Sequence, residues 1–288
     1  MDLSIITLTN NERGLLKYFL RSLAEHPPKH SFEVIVVDNG SSDGSKKLLQ
    51  ELTAATRNSL LPQPLPLKVI YHDKNYGYVK GNNAGLKQAQ GKYVVLFNVD
   101  IFLFDNSIDQ LYDYLEANPQ VGLVAPHLLN PDHTVQNSVF KFPNLLIPPY
   151  RRTILGKTPW GKKALAKYNL LQPNSIKPYP VDWTMSSAVM IRKSCLEKIG
   201  LIDERFFLYF QEIDLCRRLW ENGFAVMIYP LAKFIHLHRR ESADSFGLLS
   251  LKQRYTRIHI IDWLKYLGKY GKTVKPTSQF YRQNINPN

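Results

Sequence analysis

The sequence predicts an α/β fold with a Rossmann-like, mostly parallel central sheet flanked by helices. Three observations carry this. Strand-like and helix-like segments alternate through the first hundred residues. The strand-like segments are apolar, β-branched runs of the kind found in buried sheets. Four of them end in polar groups: Thr9-Asn10, Asp38-Asn39, His72-Asp73, and Asn98 with Asp100. Ligands of such sheets sit beyond the carboxyl ends of the strands, so four polar tips in a row point to a binding edge.

The elements follow in order. "LSIITLT" reads as a buried strand, and "RGLLKYFLRSLAEH" as a helix with Leu15, Leu16, Phe19, Leu20 and Leu23 at helical spacing. "FEVIVVD" is a second strand, followed by a Gly/Ser turn and the helix "SKKLLQELTAAT". "LKVIYHD" is a third strand, "GNNAGLKQAQG" a short helix stopped by Gly91, and "YVVLFNVD" a fourth strand. An acid and an amide inside "YVVLFNVDIFLF" cost free energy unless something pairs with them. "SIDQLYDYLEANPQVG" is an amphipathic helix. A Pro-rich segment at about 143–180 reads as irregular and loop-rich. "VDWTMSSAVMIRK" reads as one strand, then come a helix at "SCLEKIG", a turn at "LIDERFF", a helix in "YFQEIDLCRRLWENG" and a strand at "FAVMIYP". Residues 1–100 form one expected half of a single domain, 101–242 its second half, and 243–288 a C-terminal helical extension.

Bulk properties narrow the function. A chain of 288 residues with 44% hydrophobic residues is globular and large enough for one substantial core. No run approaches the 18 or so apolar residues of a spanning helix, and the start "MDLSIITLTNNE" lacks a basic leader region. The expectation is a cytoplasmic protein. Cys195 and Cys216 do not make a disulfide framework. A net charge of +13 favours anionic partners. Nucleic acid is not among those expected, because no readout motif is present and the acid- and amide-tipped strands oppose a phosphate backbone. Basic residues gather in Tyr150–Tyr168 and, with aromatics, in Leu251–Lys272; they suggest contact with an anionic membrane surface. No G-x-G-x-x-G, P-loop or zinc-spaced Cys/His cluster occurs.

The blocks "SIITLTNN", "EVIVVDNGSSDGS", "NYGYVKGNNAGLKQAQGKYVVLFNVD", "VDWTMSSAVMIRK", "IGLIDERFFLYFQEIDLCRRLWENG" and "YPLAKFIHLHRRES" come in an order that resembles family 2 inverting glycosyltransferases. They are most similar to the rhamnosyltransferase-like branch acting on bacterial surface polysaccharides. The resemblance runs from about Leu3 to Ser242, with a weaker echo in "IIDWLKYLGKYGK". It implies a GT-A fold with an acceptor-side subdomain and a nucleotide-diphosphate sugar donor, either dTDP-rhamnose or a UDP-sugar. The implied acceptor is a glycan, free or polyprenyl-linked, at the inner face of the membrane.

The resemblance also assigns residues. Thr7, Thr9, Asn10, Asp38 and Asn39 line the donor edge, with Asp73, Asn75, Gly77, Asn82 and Asn98 beyond them. Asp38 either accepts from a base or ribose or caps the Gly40–Ser45 turn. Gly81 and Gly85 would let a helix start close to the ligand. Asp100 falls at the metal carboxylate, with His236 or His238 as a second contact to Mg²⁺ or Mn²⁺. The family usually shows Asn-Pro-Asp or Asp-x-Asp here, and this chain has Asn98-Val99-Asp100. Trp183, Ser186, Ser187 and Gln211 face the acceptor. Glu212 stands at the catalytic base, where the family has Asp, and Asp214 is an orienting acid placed to pair with Arg218. Near a helix start, the dipole would keep Glu212 ionised. Phe206, Phe207 and Tyr209 either stack on a sugar or belong to the core. The departures at Asn98, Ser187 and Gln211 leave a second reading, a nucleotide-sugar-binding protein without transferase activity.

Overall fold

The computed structural model describes residues 1–54, 61–145, 147–152, 154–237, 254–271, 276 and 278–285. Four parallel strands open the sheet: β1 (Leu3–Thr9), β2 (Phe32–Asp38), β3 (Leu67–Tyr71) and β4 (Tyr93–Asn98). They alternate with α1 (Arg13–Glu25), α2 (Ser45–Ala54) and α3 (Tyr78–Gln88). The chain then adds β5 (Ile101–Phe102), α4 (Ser107–Ala117), β6 (Val121–Leu129), β7 (Val139–Phe140), α5 (Ile147–Arg152) and α6 (Pro159–Tyr168). It continues through β8 (Tyr179–Pro180), β9 (Trp183–Thr184), β10 (Ala188–Arg192), α7 (Lys193–Ile199), α8 (Gln211–Glu221) and β11 (Ala225–His236). Helices α9 (Arg254–Tyr270) and α10 (Gln279–Ile285) follow.

The main sheet runs β3-β2-β1-β4-β10-β6-β11-β5, with β8 also on β11. Strand β10 is antiparallel to both β4 and β6, while β6 and β11 are parallel. The sheet is therefore mostly parallel, with short antiparallel inserts. Its register aligns the polar tips: Thr9 lies opposite Asp38, Leu8 opposite Asn98, and Ile101 opposite His236. Ser187, just before β10, accepts from the Asn98 amide. One edge thus gathers the ends of β1, β2, β4 and β11 and the start of β10.

Two sequence expectations need correction, and strand β6 has no counterpart among them. Strand β6 is buried along its whole length but contains Pro126, which argues against a central strand. The partner β11 shifts register between Tyr229 and Lys233, opposite Pro126 and His127, so the irregular ladder accommodates the proline. "VDWTMSSAVMIRK" is not one strand. It breaks at Met185–Ser187, with β9 pairing β7 in a small second sheet. Nor is the Pro-rich segment wholly irregular. Pro148 lies in the first turn of α5, and Pro159 opens α6 behind Thr158, whose Oγ1 accepts from Gly161 N–H. Proline is tolerated at that position because its missing N–H has no intrahelical partner anyway. Finally, Gly81 and Gly85 allow α3 to pack closely on β1: a Cβ on either would stand 2.4 Å or 2.6 Å from Leu8 or Ile6.

Gly91 is held more tightly still. A Cβ there would come within 2.4 Å of Ser4 N and 2.5 Å of Leu3 C, both backbone atoms of β1. Gly91→Ala is expected to destabilise the fold by about 2 kcal/mol or more, whereas Gly14→Ala on α1, with open space around it, should be neutral or stabilising. Urea unfolding of the two variants checks this.

Candidate active site

At the donor edge three asparagines tie neighbouring strand ends together. Asn10 Nδ2 donates to the Asn39 carbonyl at 2.9 Å, and Asn75 Nδ2 donates to Asn10 Oδ1 at 2.8 Å. Asn39 Nδ2 donates to Asn75 Oδ1 and the Gly77 carbonyl, while its Oδ1 accepts from Tyr76 N–H and meets His72 Nδ1. The side chain of Asn39 is thus fully engaged within the protein and shapes the edge instead of reaching a ligand. Asp38 Oδ1 accepts from Ser41 N–H at 3.0 Å, the capping role foreseen as one of its two readings. Exposed Asp73 accepts from the Tyr76 hydroxyl, which holds its carboxyl below the usual range. Asn82 donates to the Tyr78 carbonyl inside α3 and is buried there. By contrast, Thr7 and Thr9 Oγ1 are buried without a hydrogen-bond partner among the described residues. Gly77 takes φ +88°, and a Cβ there would strike the Phe207 ring. The turn into α3 therefore requires glycine.

A second network joins α3, β4, the β9–β10 turn and α8. The Tyr78 hydroxyl lies 3.2 Å from Asn98 Oδ1 and from Ser186 Oγ. Gln211 Nε2 donates to the same Ser186 Oγ at 2.8 Å, and Asn98 Nδ2 reaches Ser187 Oγ at 3.4 Å. Burial pushes the Tyr78 hydroxyl up to about 12, and the charges of Glu212 and Asp100 add to the rise. Trp183 is set apart from this group. It is 3% exposed, stacks on Phe140 at 4.9 Å and donates Nε1 to the Lys141 carbonyl. It supports the small sheet and does not face an acceptor. Phe206 is core as well, at 2% exposure.

Asp100 and His236 meet across the β5–β11 pair. His236 Nε2 lies 3.4 Å from Asp100 Oδ2, and Nδ1 donates to Gln136 Oε1 at 2.6 Å. Because a carbonyl oxygen only accepts, this bond leaves Nε2 as the ring atom turned toward the carboxylate. Asp100 Oδ1 is buried with no hydrogen-bond partner among the described residues. The orphaned Asp100 oxygen beside an imidazole is the observation that admits a cation here: a carboxylate and a histidine nitrogen are donor types that fit a divalent ion completed by phosphate and water oxygens. No third His, Cys, Asp or Glu joins them among the described residues. His238 and the Arg239-Arg240 pair lie outside the described residues.

Helix α8 brings two carboxylates to the site in opposite states. Asp214 is fully buried and encircled: Arg218 Nε at 2.8 Å, Tyr270 Oη at 2.6 Å, and Lys269 Nζ. The anticipated Asp214–Arg218 pair is present, and α9 closes the cage. Glu212 Oε2 is buried with no partner among the described residues. Burial pushes its carboxyl up to about 7, against the restraint of its own backbone amide and the Arg151 guanidinium of α5. The expectation that the helix dipole keeps Glu212 ionised is therefore corrected. Desolvation outweighs the dipole here. Just before these residues Phe210 sits in the left-handed region at φ +64°, a strained conformation for a non-glycine residue. The strain is supported from α9: buried Asp262 accepts from the N–H groups of Phe207, Leu208 and Tyr209 at 3.0–3.2 Å.

Sequence reasoning singled out neither Tyr78, Gln136, Arg151 nor Asp262. A signal existed for Asp262, a lone acid within the apolar run "IHIIDWL". Arg151 was visible only as part of a basic stretch, and Gln136 had no signal.

The mixed sheet, with its polar strand ends gathered on one edge beside a carboxylate–histidine pair, is the GT-A fold. Solved structures agree on the fold. GalNAc-T7 in complex with UDP, GalNAc and Mn²⁺ matches at a TM-score of 0.62 and 15% identity, covering 84% of this chain but 44% of that one. The mannosyltransferase PcManGT of Pyrobaculum calidifontis, with GDP-Man and Mn²⁺, matches at 0.56 and 18% identity over 84% of this chain and 58% of that one. The profile of Glycosyl transferase family 2 covers residues 4–199, and the chain belongs to that family. Among curated proteins, an N-acetylglucosaminyl-diphospho-decaprenol L-rhamnosyltransferase of Mycobacterium tuberculosis is 28% identical, over 90% of this chain and 84% of its own length. An O-antigen biosynthesis protein, RfbC of Myxococcus xanthus, is 27% identical over 81% of this chain and 17% of its own.

Asp262→Ala leaves three amide N–H groups without their acceptor. It is expected to cost about 3 kcal/mol in urea unfolding and to release the turn before α8. Lys265→Ala, which removes only a half-exposed partner of Asp262, should cost under about 1 kcal/mol.

Proposed function

We propose that the chain is an inverting, metal-assisted glycosyltransferase that moves a sugar from dTDP-rhamnose or a UDP-sugar to a hydroxyl of a polyprenyl-diphosphate-linked glycan. The observation that carries this reading is Glu212, a half-buried residue whose Oε2 is sealed from solvent with no partner among the described residues and whose pKa near 7 matches the demands on a general base at physiological pH. The Mycobacterium tuberculosis relative, whose name describes a lipid-linked acceptor, supports the acceptor class.

In this reading Thr7, Thr9, Asn10 and Asp38 receive the nucleoside, with Asp73, Asn75 and Gly77 at the rim. Asp100 and His236 hold Mg²⁺ or Mn²⁺, which when bound offsets the charge of the diphosphate. Tyr78, Asn98 and Ser186 turn hydroxyl and amide groups toward the transferred sugar. Gln211 Oε1, buried and unpartnered among the described residues, accepts from an acceptor hydroxyl. Ionised Glu212 takes the proton of the attacking hydroxyl on the face opposite the diphosphate. The positive charge of Arg151 keeps enough of Glu212 ionised to act, and Asp214, neutralised by its own cage, orients α8. The product enters surface polysaccharide synthesis at the cytoplasmic side of the membrane.

The sign of the pH dependence follows from the raised pKa. Glu212 is protonated and inactive below about 7 and becomes competent as pH rises through it. The acid limb of kcat/KM should fall near pH 7, and Arg151→Leu should move it upward. Glu212→Gln and Asp100→Ala should each lower transfer by about 10³-fold while circular dichroism stays native. Donor binding by calorimetry with no diphosphate release from any acceptor pool points instead to the binding-only reading. Full activity in Glu212→Gln would falsify its role as base.

A further inference from the structure

The segment between Asp132 and Asp182 contains eight lysines and arginines and no acidic residue. In its middle, α5, a 3-10 turn at Ile154–Lys157 and α6 fold into a tight unit. Its closeness is enforced by two glycines: a Cβ on Gly156 would stand 2.0 Å from the Tyr150 carbonyl oxygen, and one on Gly161 would stand 2.1 Å from that of Leu155. The Thr158 hydroxyl donates to the Leu155 carbonyl and accepts from Gly161 N–H. This turn is not a core element. Ile154 is 74% exposed, Leu155 49% and Trp160 78%, the most exposed large apolar cluster contiguous in the described chain. Exposed Lys157, Lys162 and Lys163 stand between and beside them.

Large apolar side chains left in water need a reason when they gather in one place. An isolated salt-bridged protein partner would call for acids as well as lysines here, and there are none. Aromatic and aliphatic tips rimmed by lysines match the headgroup layer of an anionic bilayer, where tryptophan settles at the interface and lysines meet lipid phosphate. We infer that the Ile154–Lys163 turn is a docking surface for an anionic membrane. Among the described residues no helix is long and apolar enough to cross a membrane, so the contact is peripheral. The position is informative too. Arg151, at the other end of the same unit, lies over the Phe140 ring and carries its charge to Glu212. On the proposed function, an acceptor on a lipid carrier would be presented at the same surface to which this turn docks.

The test is sedimentation of the full chain with vesicles of phosphatidylcholine alone or with roughly one third phosphatidylglycerol. The wild type should sediment with the anionic vesicles and release as salt rises. Ile154→Ser with Trp160→Ser should lower that partition about tenfold or more. Lys162→Glu with Lys163→Glu should lower it about tenfold or more and remove the preference for phosphatidylglycerol. Thermal stabilisation by nucleotide sugars should be unchanged in both variants, so loss of docking is read separately from any failure of the catalytic assignment. Equal sedimentation of wild type and the serine variant overturns the inference. So does preference for duplex DNA over anionic vesicles, which would assign the basic turn to nucleic acid.

Discussion

Asp262 accepts three consecutive backbone amides, those of Phe207, Leu208 and Tyr209, in a site from which water is excluded. Unpaired, those N–H groups would each carry a desolvation cost. Paired, they hold the chain in the one path that delivers Phe210 at a left-handed φ and starts α8 immediately afterward. Gln211 and Glu212 inherit their positions from that turn. Tyr78 is tied to it as well, because its N–H donates to the Phe207 carbonyl. The N-terminal end of α8, the start of α3 and the helix α9 are thus one mechanical unit, anchored on a fully buried carboxylate.

The same helix pair sorts its acids by environment. Asp214 is surrounded by Arg218, Lys269 and Tyr270. Lys269 also joins Asp203, where burial raises the carboxyl but the Arg205 and Lys269 hydrogen bonds prevail and hold it well below the usual range. Glu212, two residues earlier on α8, has its own backbone amide and the charge of Arg151 to set against its burial, and it rises. Two carboxylates two residues apart therefore sit in different surroundings: one is held by three donors, and the other has an oxygen with no partner among the described residues. That division is what allows one to be structural and the other to exchange a proton near neutral pH.

Much of this architecture is legible in the sequence, and the limits are physical. Strands β1, β2 and β4 are continuous apolar runs with polar tips, so period and polarity agree. The Asp214–Arg218 pair follows from helical spacing alone. Strand β6 is hidden because Pro126 opposes a strand reading, and only the bulge in β11 explains why it is tolerated. The pairing of Asp100 with His236 depends on sheet order rather than spacing, although the resemblance to the family named both. The state of Glu212 is set by its burial, with Arg151, far away in the chain, opposing it, and a rule based on position in its own helix gives the wrong sign.

The central claim is that Glu212 is a carboxyl group poised near neutrality by burial. Infrared difference spectroscopy across a pH titration reads it directly, through the carbonyl stretch of a protonated acid that a carboxylate lacks. A band that disappears with a midpoint near pH 7 in the wild type and is missing in Glu212→Gln is the predicted result. A Glu212 band gone by about pH 5, as for an ordinary solvated glutamate, would contradict the account.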